Sequence, residues 1–237
     1  ARVGRRLGRP VPLYLDVDTG LGRLGRPPGE PSVELGLRLA RLPGVELVGV
    51  TSHAGHVYRA PDRATAHRLM EEDCRALVQT ADALRRHGVA IREVSPGCTP
   101  AARVQAGYPG VTEIRPGTYC FHDRTTAGSW RSGAGLDGPP APEVLACECA
   151  FRILATVVSR PAPDRAVIDA GSKTLPLEPS PRPGVEGYGE VLGRPEMVVE
   201  RLSEEHGILR VPPEAELRVG DRVQVLPNHV CPAVNLS

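Results

Sequence analysis

The sequence predicts an α/β region followed by an all-β region. Three observations carry this. Strand-like and helix-like stretches alternate through the first part of the chain, which argues a parallel sheet with helices outside it. The stretch Val45–Thr51 is almost continuously apolar, as a parallel strand covered on both faces should be. Beyond a Gly/Pro-rich stretch at Arg131–Pro142 only short β-like segments follow, separated by turn signals such as Pro163-Asp164 and Val219-Gly220-Asp221. The boundary falls near residue 145, giving an α/β part at 1–145 and a β domain at 146–237.

Taken in order, Val11–Val17 alternates, is β-rich and reads as a strand. Asp18-Thr-Gly-Leu-Gly-Arg-Leu-Gly25 follows as a glycine-rich loop. Pro31–Leu42 carries Val33, Leu35, Leu39 and Leu42 at helical spacing, with proline at its start and Gly44 beyond its end. Arg63–His87 is the longest helical pattern, with Met70, Cys74, Leu77, Ala81 and Leu84 as its apolar stripe and Gly88 as its stop. Ile91–Val94 and Val111–Ile114 read as strands around a short helix at Ala101–Gln105. The β-like segments are Ala150–Ser159, Arg165–Asp169, Met197–Leu202, Ile208–Val211 and Arg222–Leu226. The loops that follow the strands are the interesting ones, because α/β barrels and doubly wound sheets place their sites there.

Composition narrows the function classes. The 237 residues carry a formal net charge of +1, so neither a nucleic-acid footprint nor an acidic tail is expected. No apolar run approaches the ~18 residues of a membrane span, and no signal peptide opens the sequence; a cytoplasmic protein is expected. Six cysteines lie scattered over the chain, unlike a disulfide framework. Cys147 and Cys149 read as buried apolar thiols on a strand. Aromatic content is 3%, so the core must be aliphatic. Lys173 is the only lysine, and any mechanism needing an amine has that one candidate.

Two sets of residues invite chemistry. In Pro227-Asn-His-Val-Cys-Pro232, His229 and Cys231 stand two apart; on an extended segment they would share a side. Imidazole and thiolate suit zinc, and two protein ligands would leave positions open for water or substrate. The alternative is a histidine and a cysteine that merely flank a strand. The second set is the series of loops. Gly20, Gly22 and Gly25 fit a loop that they merely shape, His53 fits either a site or a satisfied core position, and Arg115-Pro-Gly117 fits a plain turn.

Read together, Asp18–Gly25, His53-Ala-Gly-His-Val-Tyr58, Gly97-Cys-Thr-Pro100, Arg115-Pro-Gly-Thr-Tyr119, Asp169-Ala-Gly-Ser-Lys173, Ser203-Glu-Glu-His-Gly207 and Pro227–Pro232 resemble, in that order, the metal-activated D-serine dehydratase and D-threonine aldolase branch of the alanine racemase-like enzymes, which use pyridoxal 5'-phosphate (PLP). The resemblance implies a partial TIM-type α/β barrel followed by an all-β domain, as in alanine racemase. It implies cofactor contacts from Tyr58, Thr99, Arg115, Gly117 and Thr118, with the phosphate on backbone N–H groups around Gly117. Arg23 and His53 would be catalytic, and His229 and Cys231 would hold Zn2+, or Mn2+ or Mg2+ in the alternative. The family's PLP-linking lysine belongs to a first barrel strand that this sequence does not show, so an incomplete barrel is expected. A small D-amino acid with a β-hydroxyl would be the substrate and a homodimer the assembly. The soft ligand Cys231 favours D-serine dehydratase chemistry; a carboxylate there would favour D-threonine aldolase. A racemase, or a non-catalytic fragment, is the remaining alternative.

Overall fold

The structure is a computed structural model that describes residues 1–128, 142–182 and 184–236. Contacts gather the chain into two compact units, Ala1–Gly117 and Thr118–Ser237. The division falls earlier than the boundary expected near residue 145, because the segment after Gly117 spends its backbone on the second unit: Arg124 N–H donates to the Pro227 carbonyl (3.1 Å) and Ala150 N–H to that of Phe121 (2.8 Å). The Gly/Pro-rich stretch from Arg131 lies outside the described residues as far as residue 141.

The first unit holds a three-stranded parallel sheet, β1 (Val11–Asp16), β2 (Val45–Thr51) and β3 (Glu93–Ser95), in that spatial order. Central β2 buries Leu47 to Val50, whereas β1 alternates and leaves Tyr14 exposed. Helix α1 (Arg2–Leu7) precedes β1, ahead of the first element that the sequence pattern marked. The helix stops at Gly8 in the left-handed conformation (φ 65°). Helix α2 (Glu30–Ala40) packs on α3 (Arg63–Arg86) at Gly36, where a Cβ would lie 2.6 Å from the Leu84 side chain. In α3 the expected stripe is fully buried, and the Asp62 carboxylate caps its start by accepting the Thr65 N–H (2.7 Å). Leu15, Val17, Val50, Leu77, Ala81, Leu84, Ile91 and Val94 make one apolar core. The short helix is α4 (Ala102–Gly107).

The strand expected at Val111–Ile114 does not form. Thr112 and Glu113 N–H groups both donate to the Val94 carbonyl (3.1 and 3.3 Å), and Val94 N–H goes to the Thr112 hydroxyl (2.9 Å). A side chain thus takes the place of the carbonyl that a ladder would require.

The second unit is a closed six-stranded antiparallel barrel, in the spatial order β4 (Ile153–Ala162), β5 (Arg165–Ile168), β8 (Gly207–Arg210), β7 (Val198–Leu202), β6 (Gly189–Val191) and β9 (Arg222–Pro227). Closure leaves no free sheet edge. Its interior is aliphatic, with Val157, Ile168, Leu175, Val199, Leu209 and Val225 fully enclosed. Five strands follow the sequence expectation; β6 is too short to have shown a period. Cys147 and Cys149 fall not on a strand but in and just after helix α5 (Pro142–Glu148), which leaves Cys147 exposed and Cys149 buried. A further helix, α6 (Val230–Leu236), follows β9. Among the described residues no helix is long and apolar enough to cross a membrane.

Candidate functional site

In the first unit, three loops leave the C-terminal ends of the parallel strands and carry Arg23, His53, Tyr58 and Thr99, while Arg115 and Gly117 lie on the segment that follows α4. The glycine-rich loop after β1 is pinched at its base: Asp18 N–H donates to the Arg26 carbonyl (2.8 Å) and Arg26 N–H to that of Asp16 (3.3 Å). Inside the loop the Asp18 carboxylate accepts the N–H groups of Gly20 (3.1 Å) and Gly22 (3.0 Å). Those bonds, Gly22 first, hold its pKa below the usual carboxylate range. Thr19 donates its hydroxyl to the buried Asp73 of α3 (2.5 Å). Gly25 has φ 92°, and a Cβ there would lie 2.6 Å from the Asp16 carbonyl oxygen, so only glycine closes this loop.

The loop turns Arg23 outward, exposed, over a small open cavity lined by Asp16, Val17, Asp18, Leu21, Leu24 and His53. His53, half-buried after β2, bonds through its ring to the backbone of Gly97; burial, then the charges of Arg23 and Arg115, push its pKa down. It is therefore an uncharged imidazole at neutral pH. Burial raises the Asp16 carboxyl, and Arg23 and Arg115 oppose that rise. Asp16 is a cavity residue that the sequence reading passed over as part of a strand.

Arg115 does something other than present a turn. Its guanidinium knits the ends of β2 and β3 together, donating to the Ser95 hydroxyl (3.0 Å), the Thr51 hydroxyl (2.6 Å), the Ser95 carbonyl (3.1 Å) and the Ser52 carbonyl. Gly97 must lack a side chain because its Cβ would lie 2.9 Å from that guanidinium. Thr99 is buried in the loop after β3, and Tyr58 is half-buried in the 3-10 turn Gly55–Arg59. Gly117, the last residue of the unit, is exposed, and a Cβ there would meet nothing within 4 Å. Glycine, threonine and arginine are residue types that suit a phosphate. Thr118 opens the second unit as a buried residue of the turn Thr118–Cys120.

In the second unit the segment Pro227–Pro232 is not extended, and the shared-side geometry expected of a strand does not apply to it. β9 ends at Pro227, Asn228 and His229 turn the chain, and Cys231 lies in the first turn of α6. The helix starts there because the buried Asp123 carboxylate accepts the Val230 N–H (2.9 Å), and because Pro232 sits where a helix has no use for an N–H. Asp123 also accepts the Thr126 hydroxyl and N–H (both 2.8 Å). Asn228 is fully buried; its amide donates to the carbonyls of Glu178 (3.2 Å) and Gly187 (2.8 Å). The His229 side chain is 40% exposed, and its Nδ1 lies 2.5 Å from Glu178 Oε2. Cys231 is exposed, its pKa raised by partial burial and then by the negative charges around it, Asp123 first.

Among the described residues no group of three or more His, Cys, Asp or Glu side chains is arranged to hold a metal ion. A borderline imidazole and a soft thiol, both accessible, fit an open zinc-type position completed by non-protein ligands. Lys173, Glu204 and Glu205, which the sequence singled out, pair with one another on an exposed turn: Lys173 Nζ lies 2.8 Å from Glu205 and 3.2 Å from Glu204. Those hydrogen bonds, Glu205 first, raise the lysine pKa, so it is a poor candidate for a reactive amine.

Two family models match the chain. Residues 1–125 match the alanine racemase N-terminal domain, and residues 150–237 match a putative serine dehydratase domain. A D-threonine aldolase from Arthrobacter is 31% identical over 231 residues, an alignment that takes in 97% of this chain and 56% of the aldolase. A D-threo-3-hydroxyaspartate dehydratase from Delftia is 32% identical over 249 residues, with 98% and 62% covered. The solved structure of the latter superposes on all of this chain and 63% of its own, with a TM-score of 0.84. A D-threo-3-hydroxyaspartate dehydratase has also been solved as a cysteine-to-alanine variant in a metal-free form, and as a variant of a histidine two positions before that cysteine. The chain thus spans about three-fifths of the length of these relatives. With more than half of its residues matched by the first of the two models, the chain belongs to the alanine racemase N-terminal domain family of fold-type III PLP enzymes.

Proposed function

We propose that this chain supplies cofactor-binding loops and a metal pair to a PLP- and metal-dependent lyase acting on small D-amino acids with a β-hydroxyl, of the D-serine dehydratase type. The observation that carries the reading is the pair His229 and Cys231, accessible and set on a buried frame at the start of α6. The same histidine-to-cysteine spacing is targeted by D-threo-3-hydroxyaspartate dehydratase variants, one of which was solved metal-free. In this reading the parallel strands of the first unit are an arc of a TIM-type barrel.

The residues present fit the groups that this chemistry needs. Backbone N–H groups at Gly117 and Thr118, with the Thr99 hydroxyl nearby in sequence to Gly97, would hold the cofactor phosphate. Arg115 fixes the loop geometry by tying β2 to β3. Neutral His53 can accept or pass a proton at the ring nitrogen that Gly97 does not occupy. Arg23, exposed over Asp16 and His53, presents a cation to a substrate carboxylate. When bound, PLP would supply an electron sink at Cα and a divalent metal would supply Lewis acidity toward the β-oxygen. His229 and Cys231 would hold that metal, and Cys231 as a soft ligand selects zinc over manganese or magnesium.

The D-threonine aldolase relative supports a second reading, in which the same residues serve cleavage to glycine and an aldehyde. One experiment separates the two and tests both. The protein as its gene encodes it is assayed with D-serine and D-threonine, with pyruvate and glycine measured separately, and its metal content is determined. We expect about one zinc per chain, loss of that zinc in His229→Ala and Cys231→Ala, and pyruvate from D-serine. Glycine as the main product would establish the aldolase reading, and full turnover after exhaustive chelation would refute the metal's role in either.

A further inference from the structure

We infer that Glu178 is a positioning residue for His229, selecting the ring nitrogen that faces the metal. This inference rests on the metal reading of His229 and Cys231 proposed above. Glu178 Oε2 lies 2.5 Å from His229 Nδ1. An ionised carboxylate can only accept, so Nδ1 carries a proton, and in the neutral ring the lone pair is then on Nε2. A metal-ligating histidine needs that arrangement, since its second ring nitrogen must be held by an acceptor to fix tautomer and ring orientation.

Proximity alone would not separate this pair from an ordinary surface ion pair. Both side chains are partly exposed, at 40% and 59%, and such a pair contributes little in water. The distinguishing feature is how the glutamate gets there. Asn228, the residue immediately before His229, is fully buried, and its amide donates to the main-chain carbonyl of Glu178 (3.2 Å). The same amide donates to the Gly187 carbonyl (2.8 Å), and the Asn228 carbonyl accepts the Thr125 N–H (3.3 Å). Pro179 follows Glu178 and restricts its backbone to extended conformations. The main chain that carries the carboxylate is therefore clamped to the main chain that carries the imidazole, 51 residues away in sequence. Buried hydrogen bonding is spent on bringing these two exposed side chains together, and a solvent ion pair has no need of that.

The test compares wild type, Glu178→Gln, Glu178→Ala and His229→Ala in the 237-residue chain. Zinc affinity is measured by competition with a chromophoric chelator, and the His229 tautomer by imidazole 15N NMR on metal-free protein. We expect Nδ1–H in wild type, a tautomer mixture in Glu178→Ala, and zinc affinity 10–100-fold weaker in Glu178→Ala. Glu178→Gln, which keeps a neutral acceptor, should fall between, and all variants should share the wild-type melting temperature without metal. Equal zinc affinity in wild type and Glu178→Ala, with binding lost in His229→Ala, would overturn the role of Glu178 and leave the metal reading standing. Binding unaffected by His229→Ala would remove the metal reading, and the inference with it. An Nε2–H tautomer in metal-free wild type would overturn the inference whatever the affinities.

Discussion

The two units build their functional residues in opposite ways. In the first, the residues come from several loops, and the strand ends do most of the gathering. Arg23 follows β1, His53 and Tyr58 follow β2, and Thr99 follows β3. Arg115 then binds strand end to strand end. In the second, the two candidate ligands are two residues apart in one segment, and the distant residues are their supports, Glu178 and Asp123. A parallel sheet converts many short sequence motifs into one edge; a closed antiparallel barrel presents one motif and braces it from behind. The difference teaches where tolerance should lie. The open sheet's loops should be sensitive to single positioning side chains, and the barrel to its core.

The sharpest way to break that comparison is to cavitate each core. Leu209 in the barrel and Leu84 in α3 are both fully buried leucines. Truncation to alanine costs about 2–5 kcal/mol, depending on how far the site collapses. A closed barrel is held by ladders on both sides of every strand and cannot move inward, so Leu209→Ala should fall at the upper end. Leu84 faces Gly36 across a helix–helix contact, and α2 can settle into the space, so Leu84→Ala should fall at the lower end. Urea unfolding of the two variants, followed by far-UV circular dichroism, gives both numbers. Equal losses would mean that closure confers no extra rigidity.

Next in size are the polar braces. Arg115→Lys keeps the charge but has no planar fork to reach four acceptors on two strands. Asp123→Ala leaves the first turn of α6 without its cap and removes the carboxylate that accepts the Thr126 hydroxyl. Hydrogen bonds to charged groups contribute about 1.5–3 kcal/mol, and each variant should lose roughly that much. The contrast is in the ligand readout. Arg115→Lys should weaken PLP binding, followed by cofactor fluorescence, and leave zinc affinity unchanged; Asp123→Ala should weaken zinc and spare PLP. Loss of both ligands in either variant would contradict the separate construction of the two sets.

This contrast also explains what the sequence could disclose. The parallel strands, the stripe of α3 and five of the six barrel strands are written in local periodicity, and the loops in short motifs. The Thr112 hydroxyl, by taking the Val94 N–H, erased a strand that local pattern predicts at 111–114. The extended reading of Pro227–Pro232 failed because the helix that replaces it is capped by Asp123, more than a hundred residues upstream. Glu178 had no signal at all. It stands in Leu177-Glu178-Pro179, which matches no motif, and gains meaning only through a bond to Asn228 that crosses fifty positions. Asp16 was hidden for another reason, since a strand's last residue and a cavity's wall look alike in sequence.

The smallest effect concerns Asp18, which tests whether a loop of the open sheet is held by one charge. Its carboxylate accepts Gly20 and Gly22 N–H, and its pKa is depressed in the folded chain, with Gly22 the larger cause. A depressed folded value means that the stabilisation is fully present above the ordinary aspartate value of about 3.9 and is lost as pH falls through the lower folded value. The side chain is only partly buried, so screening limits the contribution to about 1 kcal/mol or less. Asp18→Asn keeps an acceptor oxygen and removes the charge. The stability difference between wild type and Asp18→Asn should therefore be largest near neutral pH and shrink towards zero below the folded pKa, as both side chains become neutral. Amide hydrogen exchange at Gly20 and Gly22 should follow the same course, with faster exchange in the variant at neutral pH once intrinsic rates are corrected. A difference that grows on acidification would show that the loop is held by its glycine geometry and the Thr19–Asp73 bond alone, leaving Asp18 only its charge to offer a ligand.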